Sequence, residues 1–396
     1  MSKVARALMF AFILANAAHA AAAPAKPADQ ETPGPAQLTL DDLRTFTDVF
    51  NMVRKNYVDE IGDRALLDSA ISGMVASLDP HSEFLSARQL RLSEETNEGH
   101  YGGVGIDVEI RDHQIWVADV IPDTSAQRAG VLAGDLVLAV NGRPVRGHPI
   151  DESFRALHGE PDSKVDIEFQ TGKQKPRTLH LTRQYIPVPS VTGELKDGGI
   201  GYFHINQFHA HTADDMQKAL DDVRQQLAGQ ALQGIVLDLR DNLGGVIAAA
   251  SAIADGFLDK GLVVYTRGRY APTQYRYEAG PGQWAPGVPV VVLVNGLTAS
   301  SSEILAAALK ENHRATLVGE PTYGKGTVQT LLRLHNGSAL KLTTARFFTP
   351  TGRPIDQEGV EPDVRVDAQE GQGDAQLAKA LQILKSEATA SAAEVP

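Results

Sequence analysis

The segment PVVVLVNGLTASSSEILAAALK, residues 289–310, carries the clearest indication of fold in the chain. Its apolar run from Val290 to Val294 is bounded by turn residues and predicts a buried strand, and the stretch from Ser301 to Glu311 predicts a helix. The same alternation recurs on both sides, with predicted strands at 199–203, 234–239 and 315–319 and predicted helices at 213–227 and 247–257. This alternation predicts a parallel sheet covered by helices on both faces, with ligand sites at the carboxyl ends of the strands. The chemistry is therefore expected in the loops after Leu239 and Val294.

The chain that precedes this α/β region changes its hydrophobic period once. From Leu38 to about Glu98 the apolar residues recur at helical spacing, whereas from Tyr101 to about Pro187 the period is two and predicts strands. A chain of 396 residues is also long for a single core. We therefore predict a signal peptide at 1–20, a flexible linker at 21–37, a helical N-terminal region at 38–98, a small β-rich domain at 99–187, an α/β core at 188–366, and a C-terminal tail at 367–396 with one surface helix and a frayed end.

The N-terminus has the pattern of a secretory signal. Lys3 and Arg6 precede an apolar run, and the segment ends in Ala18-His19-Ala20, which fits an A-x-A cleavage site. The apolar run is well short of the roughly 20 residues that a membrane span needs. We predict export, with a periplasmic location after cleavage and an Ala/Pro-rich tether behind the cleavage site.

Composition excludes several classes of protein. The chain is 42% hydrophobic and 22% charged, which is typical of a soluble globular protein. Its formal net charge of -12 argues against a general electrostatic hold on nucleic acid. The sequence contains no cysteine, so a thiol nucleophile, disulfides and cysteine-ligated zinc are excluded.

Ser300 stands at the predicted N-terminus of the helix that follows the 290–294 strand. Together with Glu303 it fits a capping box, and this is the ordinary explanation for a serine at such a position. The alternative is a nucleophile whose oxyanion would be stabilised by free backbone N–H groups at the positive end of the helix.

A lysine that is able to activate such a serine follows in GEPTYGKGTVQ, residues 319–329. Burial would lower the pKa of Lys325 and let its neutral amine accept a proton. Taken alone, a lysine in a glycine-rich loop is more often a surface residue. Gln329 lies four positions further on, and on a strand it would point to the same side as Lys325 and hold the amine by a hydrogen bond.

A third segment, LDLRDNLGG at residues 237–245, turns from a buried strand into a helix through two glycines. Free N–H groups in such a turn suit an oxyanion. An ordinary strand-to-helix turn is the alternative.

Together these segments resemble the S41 family, the carboxy-terminal processing peptidases. The matching stretches are TASSSEI at 298–304, GKGTVQ at 324–329, LRDNLGG at 239–245, LTTARFFTPTG at 342–352, and GM at 73–74 with LDPHS at 78–82. The resemblance implies a multidomain α+β protein with an α/β, crotonase-like peptidase core.

The resemblance also implies roles for individual residues. Ser300 aligns with the nucleophile, Lys325 with the general base, and Gln329 with the residue that positions the lysine. The backbone N–H of Gly244 or Gly245 and that of Ser301 align with the oxyanion hole. Two positions depart from the family pattern, because Ser301 stands where alanine is common and Leu243 where proline is common.

The segment YGGVGI at 101–106 resembles the carboxylate-binding loop of a PDZ domain, and AGVLAGD at 129–135 with VNG at 140–142 supports this. The resemblance implies that Gly103, Val104, Gly105 and Ile106 bind peptide. N–H groups of the loop would receive a terminal carboxylate while the strand from Ile106 pairs with the peptide backbone. Val104 and Ile106 are expected to offer apolar contact, so we predict a preference for apolar C-terminal residues. A glycine-rich hairpin is the alternative explanation.

Other chemistries fit less well. The sequence from Gly319 to Lys325 lacks the Ser or Thr of a P-loop, because Gly326 follows the lysine. A metal site could be imagined at His209 and His211 with Asp214 and Asp215, but no further ligand lies at a suitable spacing. We therefore expect a solvated helix start capped by Thr212. No histidine lies in a loop that the strand pattern carries toward Ser300, which argues against a Ser-His-Asp triad. We predict no metal and no cofactor.

The predicted function is that of an exported serine endopeptidase which selects envelope proteins by their C-terminal region. The alternative is a catalytically inactive member of the same fold that binds peptides or acts as a scaffold. As partners we expect protein substrates with exposed C-terminal ends and no nucleic acid. The resemblance adds an adaptor lipoprotein and self-association into a homo-oligomer as candidate interactions.

Overall fold

The computed structural model describes residues 38–269, 271–368 and 373–393, so the predicted signal peptide and linker lie outside the described residues. The chain forms two compact units. The first unit comprises the described residues up to Met74 together with Gly102–Gln184, and the second comprises Val75–Tyr101 together with the described residues from Tyr185 onward. No helix in the described ranges is long and apolar enough to cross a membrane.

The helices and strands are numbered in chain order. The helices are α1 (Leu40–Asn56), α2 (Asp63–Ala76), α3 (Ala87–Glu98), α4 (Ser125–Arg128), α5 (Ile150–Leu157), α6 (Thr212–Gln226), α7 (Ile247–Phe257), α8 (Ser301–Glu311) and α9 (Ala375–Ala393). The strands are β1 (Glu83–Leu85), β2 (His100–Gly103), β3 (Ile106–Arg111), β4 (Gln114–Val120), β5 (Asp135–Val140), β6 (Arg143–Pro144), β7 (Lys164–Thr171), β8 (Arg177–Thr182), β9 (Gln184–Pro187), β10 (Val191–Lys196), β11 (Ile200–Ile205), β12 (Gly234–Asp238), β13 (Gly261–Gly268), β14 (Arg276–Ala279), β15 (Val290–Val294), β16 (Ala315–Gly319), β17 (Thr327–Arg333), β18 (Ala339–Phe348) and β19 (Val364–Arg365).

The second unit is built on a six-stranded sheet in the order β10-β11-β12-β15-β16-β19. Its neighbouring strands run parallel, except that β10 is antiparallel to β11. Residues 290, 292 and 294 of β15 pack in the core that includes α6, α7 and α8, while Val291 and Leu293 pack with α9. The prediction of a largely parallel sheet with both faces covered is confirmed.

The C-terminal helix α9 is part of the core, and the prediction of a surface helix is wrong on this point. Ala380 and Leu384 are buried and pack with Val236 and Val291 on one face of the sheet. Apolar residues spaced three or four apart, from Leu377 to Leu384, place one apolar stripe against the strands. The polar and alanine-rich composition between these positions hides the stripe in the sequence.

A second, antiparallel sheet in the same unit supports the lysine-bearing loop. Its central strand β18 pairs with β1, β13 and β17. Val264, Val328 and Phe347 of this sheet join the large hydrophobic core beside α8. The lysine loop runs directly into β17, so this packing fixes where the loop ends.

The first unit contains the antiparallel sheet β3-β4-β5-β7-β8, with β6 paired to β5. Its core includes the fully buried side chains of Ile115, Ile167 and Phe169. The alternation of buried and exposed residues along β7 agrees with the period of two in the sequence. Helix α1 of this unit has no buried residue among those that the structure describes.

Candidate active site

Ser300 occupies a strained backbone position where β15 has ended and α8 begins. Its φ is 59° and its ψ is -117°, a backbone conformation that residues other than glycine rarely adopt. The Ser300 N–H donates to Glu303 Oε2 at 2.7 Å. The serine therefore stands at the positive end of an eleven-residue helix, with its backbone held by the first turn of that helix.

Lys325 lies in the irregular segment between β16 and β17 and is half-buried. Burial lowers the pKa of its ammonium below the ordinary lysine value, and the positive charge of Lys341 lowers it further. The carboxylates of Glu83 and Glu303 oppose this shift. The net direction is toward the neutral amine that a general base requires.

One carboxylate connects the serine loop to the lysine loop. Glu303 Oε2 accepts hydrogen bonds from the backbone N–H of Ser300 at 2.7 Å and of Lys325 at 2.9 Å. Its other oxygen, Oε1, accepts from the Gly324 N–H and from the Thr322 hydroxyl. Sequence reasoning assigned Glu303 only the capping role, because the second loop is remote in the chain.

The glycine loop lies against Ser300. A Cβ placed on Gly244 would be 2.8 Å from the Ser300 Cβ and 3.0 Å from the Ser301 nitrogen, so no larger residue fits there. Gly244 and Gly245 have φ values of 99° and 140°, which also favour glycine. The structure thus brings the predicted nucleophile and the predicted oxyanion loop together.

Hydrogen bonding distinguishes the two glycines as oxyanion donors. The Gly244 N–H donates to Asn242 Oδ1 at 2.9 Å, so it is already engaged. The Gly244 carbonyl accepts from Phe208, and the N–H of Gly245 has no acceptor among the residues that the structure describes. The backbone N–H of Ser301 likewise has none within the described ranges. Gly245 and Ser301 are therefore the two available donors.

The serines that follow Ser300 tie the glycine loop to α8. Ser301 Oγ donates to the Gly245 carbonyl at 2.8 Å, and Ser302 Oγ donates to the Asn242 carbonyl at 3.0 Å. Asn242 is fully buried and its amide also donates to the Ile205 carbonyl at 2.8 Å. The hydroxyls at 301 and 302 are thus already in use as donors to the loop.

Gln329 lies close to the site but is held by threonines. Its Nε2 donates to Thr327 Oγ1 at 2.9 Å and to Thr343 Oγ1 at 3.2 Å, and no hydrogen bond joins it to Lys325 in the described structure. The same-face argument does not hold, because Lys325 precedes β17 and a register shift between Val328 and Gln329 interrupts the alternation. Its predicted role stays a prediction.

The turn that contains residues 79–82 is docked behind Gln329. Asp79 accepts from the Ser82 hydroxyl at 2.7 Å and from Thr343 Oγ1 at 3.1 Å, and Ser82 Oγ accepts from the Thr343 N–H. Burial lowers the pKa of His81 in this turn, and the nearby charge of Lys325 lowers it further. The sequence matches this turn to the family pattern but indicates no role for it.

These features can be set beside known proteins. The chain matches family models for peptidase family S41 over residues 199–366, a PDZ domain over residues 116–171, and the N-terminal domain of the activating protease CtpB over residues 3–88. A carboxy-terminal-processing protease of Bartonella bacilliformis is 38% identical over 332 residues, which cover 84% of this chain and 76% of the relative. The chain belongs to the carboxy-terminal processing proteases of family S41.

A second relative supports this assignment. Carboxy-terminal processing protease CtpA of Bacillus subtilis is 34% identical over 323 residues, covering 80% of this chain and 67% of the relative. Among solved structures, a photosystem II D1 C-terminal processing protease is 31% identical, covers 89% of this chain and 99% of its own, and has a TM-score of 0.48. The predicted family and the presence of a PDZ domain are confirmed.

The PDZ domain corresponds to the strands of the first unit, and its predicted peptide loop is only partly as expected. The backbone N–H groups of Val104 and Gly105 have no acceptor among the described residues. The side chains of Val104 and Ile106, however, are 2% and 8% exposed and belong to the domain core. The loop is therefore able to offer N–H groups, but these two side chains do not offer the apolar surface that we expected.

The histidine segment before α6 contains one buried histidine, His209, and one exposed histidine, His211. His209 is 2% exposed, its N–H donates to Thr212 Oγ1 at 2.8 Å, and its Nε2 lies 2.9 Å from the Val188 carbonyl. The prediction of a solvated helix start is therefore wrong for His209, whereas His211 and Asp214 are exposed as predicted. Thr212 is the first residue of α6 and not its cap. The described residues contain no group of three or more metal-ligating side chains.

Proposed function

We propose that this protease is a serine endopeptidase in which Ser300 is the nucleophile and Lys325 the general base. The observation that carries the proposal is that the backbone N–H groups of Ser300 and Lys325 donate to the same carboxylate oxygen, Glu303 Oε2. The glycine loop also packs against Ser300. The depressed pKa of Lys325 supports its role as a base, and the strained backbone of Ser300 is typical of a catalytic residue.

In the proposed acylation step, Ser300 Oγ attacks the scissile carbonyl carbon and its proton passes to the neutral Nζ of Lys325. The carbonyl oxygen becomes an oxyanion, for which the N–H groups of Gly245 and Ser301 are the proposed donors. Collapse of this intermediate breaks the C–N bond, and the Lys325 ammonium returns the proton to the leaving amine. Water then attacks the acyl-enzyme while Lys325 accepts its proton. The ester C–O bond to Ser300 breaks, and the Lys325 ammonium returns the proton to Ser300 Oγ, which releases the new C-terminal carboxyl group and restores the serine.

The test is casein cleavage by purified protein with substitutions at the serines. Ser300→Ala should abolish hydrolysis, with a loss of at least about a thousandfold, because the attacking oxygen is gone. Ser301→Ala should keep most activity, since its hydroxyl only tethers the Gly245 carbonyl. Full activity in Ser300→Ala together with loss in Ser301→Ala would reassign the nucleophile.

A second pair of variants tests the base. Lys325→Arg should be as inactive as Lys325→Ala, because a guanidinium group is not deprotonated in proteins. Inhibition by a chelator combined with no response to either lysine variant would exclude the dyad. Complete inactivity of the wild-type protein on casein, with retained peptide binding, would instead favour the inactive peptide-binding module.

The biological setting is also part of the proposal. The N-terminal signal pattern supports export and a periplasmic location, and the PDZ domain supports selection of envelope proteins by their C-terminal ends. Self-association and an adaptor lipoprotein stay predictions. The apolar side chains that α1 leaves exposed, such as Phe46 and Val49, are the surface we propose for self-association.

A further inference from the structure

Glu303 is a buried carboxylate that the proposed mechanism does not use. It lies in the first turn of α8 and its relative exposure is 0%. Burying a carboxylate is costly unless hydrogen bonds compensate for the lost water. Four donors surround it, namely the backbone N–H groups of Ser300, Gly324 and Lys325 and the hydroxyl of Thr322, at 2.5 to 2.9 Å.

The arrangement of these donors suits the ionised form, which accepts all four hydrogen bonds. Each carboxylate oxygen accepts two hydrogen bonds, and three of the four donors are backbone N–H groups that cannot act as acceptors. Burial raises the pKa of Glu303 above the ordinary glutamate value, and the same four hydrogen bonds reduce this shift without reversing it. A glutamine amide would direct at least one hydrogen at a backbone N–H, whereas a protonated acid would find an acceptor only in the Thr322 hydroxyl.

The geometry points to Glu303 as a positioning residue that holds the backbone of the nucleophile and the backbone of the base in one fixed arrangement. This inference rests on the proposed roles of Ser300 and Lys325. Besides this shared acceptor, one backbone hydrogen bond joins the two loops, from the Tyr323 N–H to the Thr298 carbonyl at 3.0 Å. That bond lies two residues before each reacting residue, whereas Glu303 holds the N–H groups of Ser300 and Lys325 themselves. A displacement of about 1 Å between reacting groups is enough to cost roughly a hundredfold in rate.

The experiment compares Glu303→Gln, Glu303→Asp and the matched control Glu311→Gln. Glu311 belongs to the same helix, its side chain is 7% exposed, and it accepts hydrogen bonds from Thr351 and Arg353. With casein as substrate, kcat should fall on the order of 100-fold in both Glu303 variants while KM changes little. Glu311→Gln should lower thermal stability and leave kcat close to the wild-type value.

The second readout is the titration of Lys325, which loss of helix stability alone would not move. The Glu303 charge raises the pKa of Lys325, so Glu303→Gln should shift that titration to lower pH. Glu303→Asp keeps the charge and should leave the titration in place. The titration is followed by the pH dependence of Lys325 labelling with acetic anhydride, using Lys310 as internal reference, and this does not require proteolysis.

The outcomes separate the two proposals. Wild-type kcat in both Glu303 variants, or an equal loss in Glu311→Gln, would overturn the positioning role. An unshifted Lys325 titration in Glu303→Gln would overturn it as well, even if casein proved not to be a substrate. If Glu303→Gln does not fold, the kcat of Glu303→Asp decides. Casein cleavage that persists in Ser300→Ala would contradict the proposed role of Ser300 as nucleophile. It would not affect the inference that Glu303 acts on Lys325, which the titration measures separately.

Discussion

Burial is the largest cause of the lowered pKa of Lys325, and charged side chains from three segments of the second unit modify it. Lys341 on β18 lowers it by charge repulsion, whereas Glu83 on β1 and Glu303 on α8 raise it. Lys341 and Glu83 form an ion pair at 2.9 Å across these strands. Substitution of Lys341 therefore removes one cation and also frees one carboxylate, and both changes act on Lys325 in the same direction.

Lys341→Gln should raise the pKa of Lys325, so that the rise of kcat/KM with pH moves to higher pH. Activity at a pH below that rise should then fall, because fewer molecules carry the neutral amine. Lys310→Gln is the control, since Lys310 binds Glu361 and Asp363 elsewhere in the unit. A profile that stays in place or moves to lower pH in Lys341→Gln would contradict this account of the base.

At the scale of elements, α9 contributes to the stability of the sheet that carries the proposed catalytic loops. Arg240, just before the glycine loop, donates from its Nη1 and Nη2 to Asp374 at 2.8 Å each and also pairs with Asp238 at 2.6 Å. Asp374 in turn accepts from the Leu377 N–H at the start of α9. The helix is thus joined to the strand β12 by both apolar packing and an ion-pair network.

Leu384→Ala should lower the free energy of unfolding by about 2 to 5 kcal/mol, because it removes a fully packed side chain from the sheet. Leu384 is 1% exposed and contacts the backbone near Gly234. Gln382→Ala, on the exposed side of the same helix, should change stability by less than about 0.5 kcal/mol. Urea denaturation of the two variants measures the difference, and equal midpoints would show that α9 adds little to the core.

At the scale of the whole molecule, the PDZ domain is proposed to select substrates by a free C-terminus. A peptide acid should bind more tightly than its amide by about 1.5 to 3 kcal/mol, the value of a charge-assisted hydrogen bond. The measurement uses full-length Ser300→Ala protein so that the peptide is not cleaved. Equal affinity for acid and amide would remove C-terminus recognition from the proposal.

Two glycine variants, Gly105→Ala and the control Gly134→Ala, test the loop in the same binding measurement. A Cβ on Gly105 would lie 2.2 Å from Thr124 Cβ, whereas one on Gly134 meets nothing within 4 Å, and both residues have positive φ. Gly105→Ala should therefore disrupt the loop and abolish the preference for the acid, while Gly134→Ala should retain it. The prediction that Val104 and Ile106 favour apolar C-terminal residues is withdrawn, because both side chains are in the core.

The sequence by itself was sufficient for the family, for the candidate serine and lysine, and for the central parallel strands and the helices α6, α7 and α8 of the α/β core. The antiparallel sheet around β18 was not predicted. Hydrophobic period is a local property, so α7, α8 and β16 were predicted with their observed limits. Ser300 and Lys325 lie in short motifs whose glycines and turn residues are also local. These features require no knowledge of which distant segments meet.

Only the tertiary structure decided which groups act on one another. The double role of Glu303, the choice of Gly245 over Gly244, and the threonine partners of Gln329 all depend on hydrogen bonds between segments that are remote in the chain. The burial of α9 depends likewise on a sheet face that no local pattern reveals. The physical reason is that hydrogen-bond partners and buried faces depend on which remote segments come into contact in the folded chain. The order of residues within one segment does not encode those contacts.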